Sequence, residues 1–279
     1  MGTRQRILIV DNDPSILQML ETGLEAPDRQ VESACDGLEG LRRIEAAVYD
    51  LIIIDIDVPG LGGFGLLERI RKIRPDAKVA LMTLTSTPLN ILRALGENAF
   101  TFFSKPFAVE AVRRLVERAL AATAWEDDIE VLSASPEWLD LRLRCKMEAA
   151  DRILQFLHEL GSDLPPAERD KIAIAFREVL LNAVEHGGGY DPEKKVFITY
   201  RRTGRAILYQ VRDPGKGFSF GNLPQAAVSH PGTPLAHIEI RERMGLRPGG
   251  LGLLVTRRSV DEMIYNEAGN EVLLIKYLV

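Results

Sequence analysis

Four short apolar runs stand out in the first half of the chain: Ile7–Val10, Leu51–Ile54 and Val79–Met82, each uninterrupted, and Phe100–Phe103, broken only by Thr101. Runs of this length without polar alternation predict strands buried on both faces, as in a parallel sheet. Between them, apolar positions recur at helical spacing over Pro14–Leu24 behind Asp13, over Gly63–Ile73, and over Val109–Ala122. Strand and helix in alternation predict a doubly wound α/β domain over residues 1–122.

The pattern breaks at Thr123–Ile129, where a Trp-Glu-Asp-Asp run predicts a linker, with a second domain over residues 130–279. Glu130–Cys145 reads as strand-like with an interruption at Pro136, and a helix is predicted near Met147–Leu160. A second helix is expected from Ala167 to His186, with Pro165 and Pro166 placed at its start. Lys195–Tyr200, Arg205–Arg212 and Glu271–Leu278 resemble antiparallel strands, while Glu239–Met244 is less uniform. This half is α+β.

A length of 279 residues suits two domains, and 46% hydrophobic with 27% charged residues fits folded, soluble units. A formal net charge of -5 provides no general attraction to nucleic acid or to an anionic membrane, so neither is expected as a partner. No apolar stretch approaches the roughly 20 residues that span a bilayer. Met1 to Arg6 leads directly into a strand without a signal-peptide core, so a cytoplasmic location is expected. Cys35 and Cys145 lie far apart without metal-ligand spacing, which disfavours a disulfide framework or a zinc site.

Polar residues of distinct type follow the four strands: Asp11, Asp55, Thr83 and Lys105. In a parallel sheet these ends share one edge, where doubly wound folds bind ligands. Clustered carboxylates stay ionised only beside a cation, either Mg²⁺ or the Lys105 ammonium, which points to a metal-assisted phosphoryl site. Any one such acid could instead cap the following helix.

Asp11-Asn12-Asp13-Pro14, Asp55-Ile56-Asp57-Val58-Pro59-Gly60, Thr83 and Lys105-Pro106-Phe107 look like the response-regulator receiver family. The resemblance implies a five-stranded parallel sheet, Asp55 as phosphoacceptor, and a sensor histidine kinase as phosphoryl donor. It further implies Mg²⁺ held by Asp11, Asn12 and Asp55, with Asp13 able to compensate for an asparagine where the family usually has an acid. Thr83 and Lys105 would contact phosphoryl oxygens, and Phe102 would be the aromatic switch. Leu84 stands where a small residue is usual.

In the second half, Glu178 and Asn182 share one face of the predicted helix, with His186 a turn further on. Alone, the pair would read as a solvated helix face. Asp213-Pro214-Gly215-Lys216-Gly217 and Gly249-Gly250-Leu251-Gly252 follow, and glycines there permit close backbone approach to phosphate. This order resembles the histidine-kinase-like ATPase superfamily, a Bergerat-type two-layer α+β sandwich, and most nearly its anti-sigma-factor serine kinase branch. The resemblance implies ATP with Mg²⁺ on Asn182, and Asp213 on the adenine amino group. It places His186, Gly215 and Gly217 at the nucleotide, Gly250 and Gly252 at the phosphates, and Glu178 as general base. Ser219–Pro248, with Arg241, Arg243 and Arg247, would be the lid, and Asn270 stands where Thr is common.

His158 precedes Asn182 too closely to leave room for the helical dimerisation hairpin of a sensor kinase. The expected function is therefore a receiver, phosphorylated on Asp55, controlling an ATP-dependent serine/threonine kinase. Its implied partner is a STAS-type anti-sigma-factor antagonist, a sigma factor, or both, with a homodimer implied by family analogy. The alternative is a non-catalytic ATP-binding module. A transcription factor would require a helix-turn-helix where the second set of motifs stands.

Overall fold

The computed structural model describes residues 4–121, 128–161, 163–218 and 251–278, together with Glu239 and Arg243. The described residues form two compact units, one ending at Ala121 and the other beginning at Asp128.

In the first unit, β1 (Gln5–Val10), β2 (Arg29–Ala34), β3 (Leu51–Asp55), β4 (Val79–Thr83) and β5 (Thr101–Ser104) form a parallel sheet in the order β2-β1-β3-β4-β5. Every residue of β3 and β4 is buried, as strands covered on both faces require. Helices α1 (Pro14–Leu24) and α5 (Val109–Ala121) pack on one face, where Leu20, Leu24, Leu115 and Val116 meet Ile7, Ile9, Ile53 and Phe103. Helices α2 (Gly37–Ala46), α3 (Gly62–Ile73) and α4 (Pro88–Gly96) complete the unit, α2 packing on α3. Short polar side chains start three of these helices: Asp13 caps Ser15, Asp36 caps Glu39 and Thr87 caps Asn90, each through a backbone N–H.

The second unit is a six-stranded antiparallel sheet with helices packed on it. Its strands are β6 (Ile129–Ser135), β7 (Trp138–Arg144), β8 (Lys195–Arg202), β9 (Ala206–Arg212), β10 (Glu262–Tyr265) and β11 (Glu271–Tyr277), ordered β10-β11-β9-β8-β7-β6. Pro136 falls in the tight connection between β6 and β7, so the interrupted strand is a hairpin. Alternate residues Leu139, Leu141 and Leu143, then Val196, Ile198 and Tyr200, then Ile207, Tyr209 and Val211, are buried. Helices α6 (Met147–Leu160), α7 (Pro166–Asn182) and α8 (Gly252–Ser259) belong to this unit, α7 contacting α6, α8, β9 and β11. The Phe176 ring on α7 lies 4.8 Å from that of Tyr209, which in turn lies 5.2 Å from Tyr200.

The helix expected to reach His186 changes geometry at its end. Ala183–Gly187 is a π turn, closed by the Gly188 N–H donating to the Ala183 carbonyl at 2.8 Å. Such one-turn expansions shift the following residues relative to an α-helix, often at functional sites. No helix among the described residues is long and apolar enough to cross a membrane.

Phe176 is 2% exposed and joins α7 to the sheet. Phe176→Ala should therefore destabilise the second unit by about 3–5 kcal/mol, read as a lower denaturation midpoint with hydrogen exchange increased in β8 and β9.

Candidate functional site

Each unit brings polar residues together at one place. In the first, β1 and β3 are neighbours in register, Val10 beside Ile54, so Asp11 and Asp55 emerge side by side. The strand order reverses about this pair, leaving a crevice at the carboxyl ends. Lys105, just beyond β5, extends its Nζ to 2.6 Å from Asp11 Oδ2 and 3.0 Å from Asp55 Oδ2. The three side chains are 6%, 0% and 5% exposed. Burial by itself would lower the Lys105 pKa, but its hydrogen bonds to Asp11 and Asp55, and their charges, raise it above the ordinary lysine value. The folded state thus holds this proton more tightly than the unfolded chain. The associated stability is fully present below the ordinary lysine pKa and is lost only as pH rises through the raised one.

The other carboxylate oxygens accept backbone N–H groups, Asp11 Oδ1 from Asp13 at 2.8 Å and Asp55 Oδ1 from Asp57 at 3.3 Å. Two carboxylates against one ammonium leave a net negative, all-oxygen site that suits a hard divalent cation. Asn12 is exposed beside it. Asp13, able to compensate for the asparagine at position 12, has its Oδ1 on the Ser15 N–H at 2.8 Å, where it begins α1. A carboxylate at an N-cap satisfies an otherwise orphan amide, and that local bond sets its direction.

Thr83 is fully buried at the end of β4, its hydroxyl accepting the Thr85 N–H at 3.1 Å and lying 3.5 Å from Asp57 Oδ2. Phe102 is fully buried, and because strand residues alternate it faces away from Phe103 and the α1–α5 core. Leu84 is 71% exposed directly after Thr83.

Among the described residues, one trio of thiol and carboxylate ligands lies within 4.8 Å, Cys35, Asp36 and Glu39, and it is explained by helix capping. Asp36 accepts the Glu39 N–H, Glu39 accepts the Cys35 N–H, and Arg43 holds the Glu39 carboxyl down at about 2.

In the second unit, a cavity of about 780 Å³ is lined by Glu178 and Asn182 from α7, His186 and Gly187 from the π turn, Asp213 from the end of β9, Gly215 and Gly217 from the loop beyond, and Gly252 from the start of α8. Val179, Ala183, Val211, Phe218, Tyr265 and Val272 supply apolar wall. Helical spacing directs Glu178 and Asn182 into the same space, whereas Asp213 arrives from the sheet and accepts the Gly215 N–H at 2.7 Å. Burial raises the Asp213 carboxyl above its ordinary value against the lowering effect of that amide. Burial, with the Asp213 charge adding to it, raises the Tyr265 phenol.

Gly187 is a residue that motif reading missed. A Cβ there would collide with the Asp213 carboxylate, so the π turn and the absence of a side chain together let Asp213 approach α7. Its sequence signal is the glycine run after His186, a pattern that also ends ordinary helices. A Cβ on Gly252 would meet only the carboxylate tip of Glu178, a flexible end whose Oε1 lies 3.5 Å from Arg177 Nη1.

Gly249, Gly250, Arg241, Arg247, Trp125, His230, His237, most of the expected lid and most of the expected linker lie outside the described residues. Arg243 pairs with Glu239 at 3.4 Å, both well exposed. His158 sits on α6 with Nε2 3.8 Å from Asp170 Oδ1, away from the residues that line the cavity.

Residues 7–117 match the response regulator receiver domain family, and residues 143–276 match the histidine kinase-like ATPase domain family. The chain is 32% identical over 231 residues to the transcriptional regulatory protein PrrA of Mycobacterium leprae, covering 75% of this chain and 94% of PrrA. It is 32% identical over 114 residues to the DNA-binding transcriptional regulator NtrC of Azospirillum brasilense, covering 41% of this chain. The chain spans only 24% of NtrC, 33% of GlrR of Escherichia coli and 60% of MprA of Mycobacterium ulcerans. A solved CheY-like receiver from Methanospirillum hungatei is 32% identical, with 42% of this chain and 94% of that one covered and a TM-score of 0.41.

Removing the cation from the Asp11–Asp55 pair leaves two buried carboxylates facing one another. Lys105→Gln should lower stability by about 3–5 kcal/mol at neutral pH. Thermal melts of the two proteins at neutral pH should show the deficit.

Proposed function

This chain belongs to the response-regulator family, with its receiver joined to a histidine kinase-like ATPase domain, and on that premise we propose an Asp55-phosphorylated switch controlling phosphoryl transfer from ATP to a protein serine or threonine. In the receiver, an Asp55 carboxylate oxygen attacks the phosphohistidine of a sensor kinase. The new O–P bond forms as the N–P bond breaks. Lys105, already 3.0 Å from Asp55, then pairs with a phosphoryl oxygen, and the Thr83 hydroxyl donates to another. Asp11, Asn12 and Asp55, and Asn182 in the second unit, would hold Mg²⁺, which would supply charge neutralisation at phosphoryl oxygens.

In the ATPase unit, Asp213 accepts from the adenine amino group, while the backbone around Gly215 and Gly217 passes close to the nucleotide. Gly252, at the start of α8, offers its backbone N–H to the phosphates, a role proposed also for Gly250 from the motif alone. Glu178 accepts the proton of the partner hydroxyl as its oxygen attacks the γ-phosphorus and the bond to the β-bridging oxygen breaks, releasing ADP. A STAS-type anti-sigma-factor antagonist is the proposed substrate, with sequestration of a sigma factor as a related role and a homodimer as the working unit. Phosphorylation of Asp55 controls the ATPase unit only if the two receiver states interact with it differently.

The observation that most supports this reading is the single cavity shared by Glu178, Asn182, Asp213 and Gly252, residues 74 positions apart at the extremes. With γ-labelled ATP, Mg²⁺ and a STAS-type protein, the wild-type chain should transfer label. Glu178→Gln should transfer at least about 100-fold more slowly, and Asp55→Asn should abolish the change that receiver phosphorylation produces. Nucleotide binding without transfer in the wild type would replace the kinase with a binding module, and absence of Mg²⁺-dependent ATP binding would end both readings.

A further inference from the structure

The turn joining β10 to β11 is held against the loop after β9 by two asparagines. Asn266 Oδ1 accepts three backbone N–H groups, from Gly269 at 2.8 Å, Asn270 at 3.1 Å and Glu271 at 3.2 Å. That oxygen is therefore the acceptor end of the amide, and the opposite end, Nδ2, must donate. It does so to Asn270 Oδ1 at 2.9 Å. The Asn270 amide is thereby oriented in turn, and its Nδ2 donates to the Gly215 carbonyl at 3.2 Å. Gly215 completes the chain by donating its N–H to Asp213 Oδ1 at 2.7 Å.

The two segments also close on each other through backbone. Asp213 N–H donates to the Asn270 carbonyl at 2.9 Å. Gly217 and Gly269, with φ of 74° and 76°, approach so closely that a Cβ on Gly217 would strike the Ala268 carbonyl and one on Gly269 the Phe218 carbonyl.

From this geometry we infer that Asn266 is a positioning residue for purine recognition: it orients Asn270, and the resulting hydrogen-bond relay sets the direction of the Asp213 carboxylate. The inference rests on the reading of Asp213 as the adenine contact. With Oδ1 engaged by Gly215, the carboxylate is fixed so that Oδ2 faces the base amino group. Asn270 lines the cavity, whereas Asn266 does not and acts only through Asn270.

Asn266→Asp isolates the relay. The new side chain keeps the oxygen that accepts the three backbone N–H groups, but it replaces the donor facing Asn270 with a second oxygen. Asn270 then rotates its amide to donate to Asp at 266, turning its own oxygen toward the Gly215 carbonyl. Asn270→Asp removes the same donor to Gly215 directly at unchanged size.

The test compares the full-length chain and both variants by titration with Mg²⁺-ATP and with the Mg²⁺ complex of purine riboside triphosphate, which lacks the amino group. Circular dichroism confirms that each variant is folded. The wild type should prefer ATP by on the order of tenfold or more, the range of a hydrogen bond to a charged acceptor. Both variants should bring that ratio close to one. A general loosening of the loop would weaken the two nucleotides equally and leave the ratio intact, which would overturn the relay. A ratio lowered by Asn270→Asp alone would also overturn it, showing that Asn270 touches the nucleotide itself. A wild type that binds both nucleotides equally would remove the Asp213 reading and the relay together, whereas a preference that survives in both folded variants would sink the relay and spare Asp213.

Discussion

Charge buried at the carboxyl ends of strands is the constraint around which the first unit is organised. Asp11 and Asp55 are almost wholly removed from water, and the Lys105 ammonium between them pairs with both. That arrangement requires the apolar strands β1, β3 and β5 to stand in the observed order, because β1 and β3 must be adjacent for the carboxylates to meet. The resulting all-carboxylate edge, with one ammonium against two acids, has the character that suits a further hard cation.

The second unit meets a related problem by another route. Its polar groups come from a helix, a strand end and a turn, and they are brought together by close backbone approach. Gly187 beside Asp213 leaves no room for a Cβ, so this wall of the cavity is set by what is missing from the backbone. The Asn266–Asn270 pair then supplies the direction that glycines cannot. Flexibility at the glycines and rigidity at the amides are complementary requirements of the same loop.

Legibility in the sequence followed burial. The uninterrupted runs Ile7–Val10 and Leu51–Ile54 declared themselves because parallel strands covered on both faces have no polar positions. β2 did not, because it is an edge strand of sequence Arg-Gln-Val-Glu-Ser-Ala with only Ala34 buried and Glu32 paired to Arg6 and Arg43. The short helices α2 and α4 escaped for lack of a long apolar period. In the site, Glu178 and Asn182 were legible because helical spacing alone puts them on one face, while at Asp13 a local capping bond competes with the crevice for the same carboxylate, a competition that spacing does not reveal.

Local pattern thus determined which segments are strands and helices, where the chain changes character, and which acids, amides and glycines stand at the ends of those elements. Hydrophobic periodicity and motif spacing are properties of neighbouring residues, and they survive without a fold. Only the tertiary structure decided that Lys105 spans 94 positions to reach Asp11, that a π turn brings Gly187 against Asp213, and that Asn270 reaches back to Gly215. Those contacts join residues distant in the chain through directional bonds and sub-ångström clearances. No periodicity encodes them, because they exist only once the sheets and helices have packed.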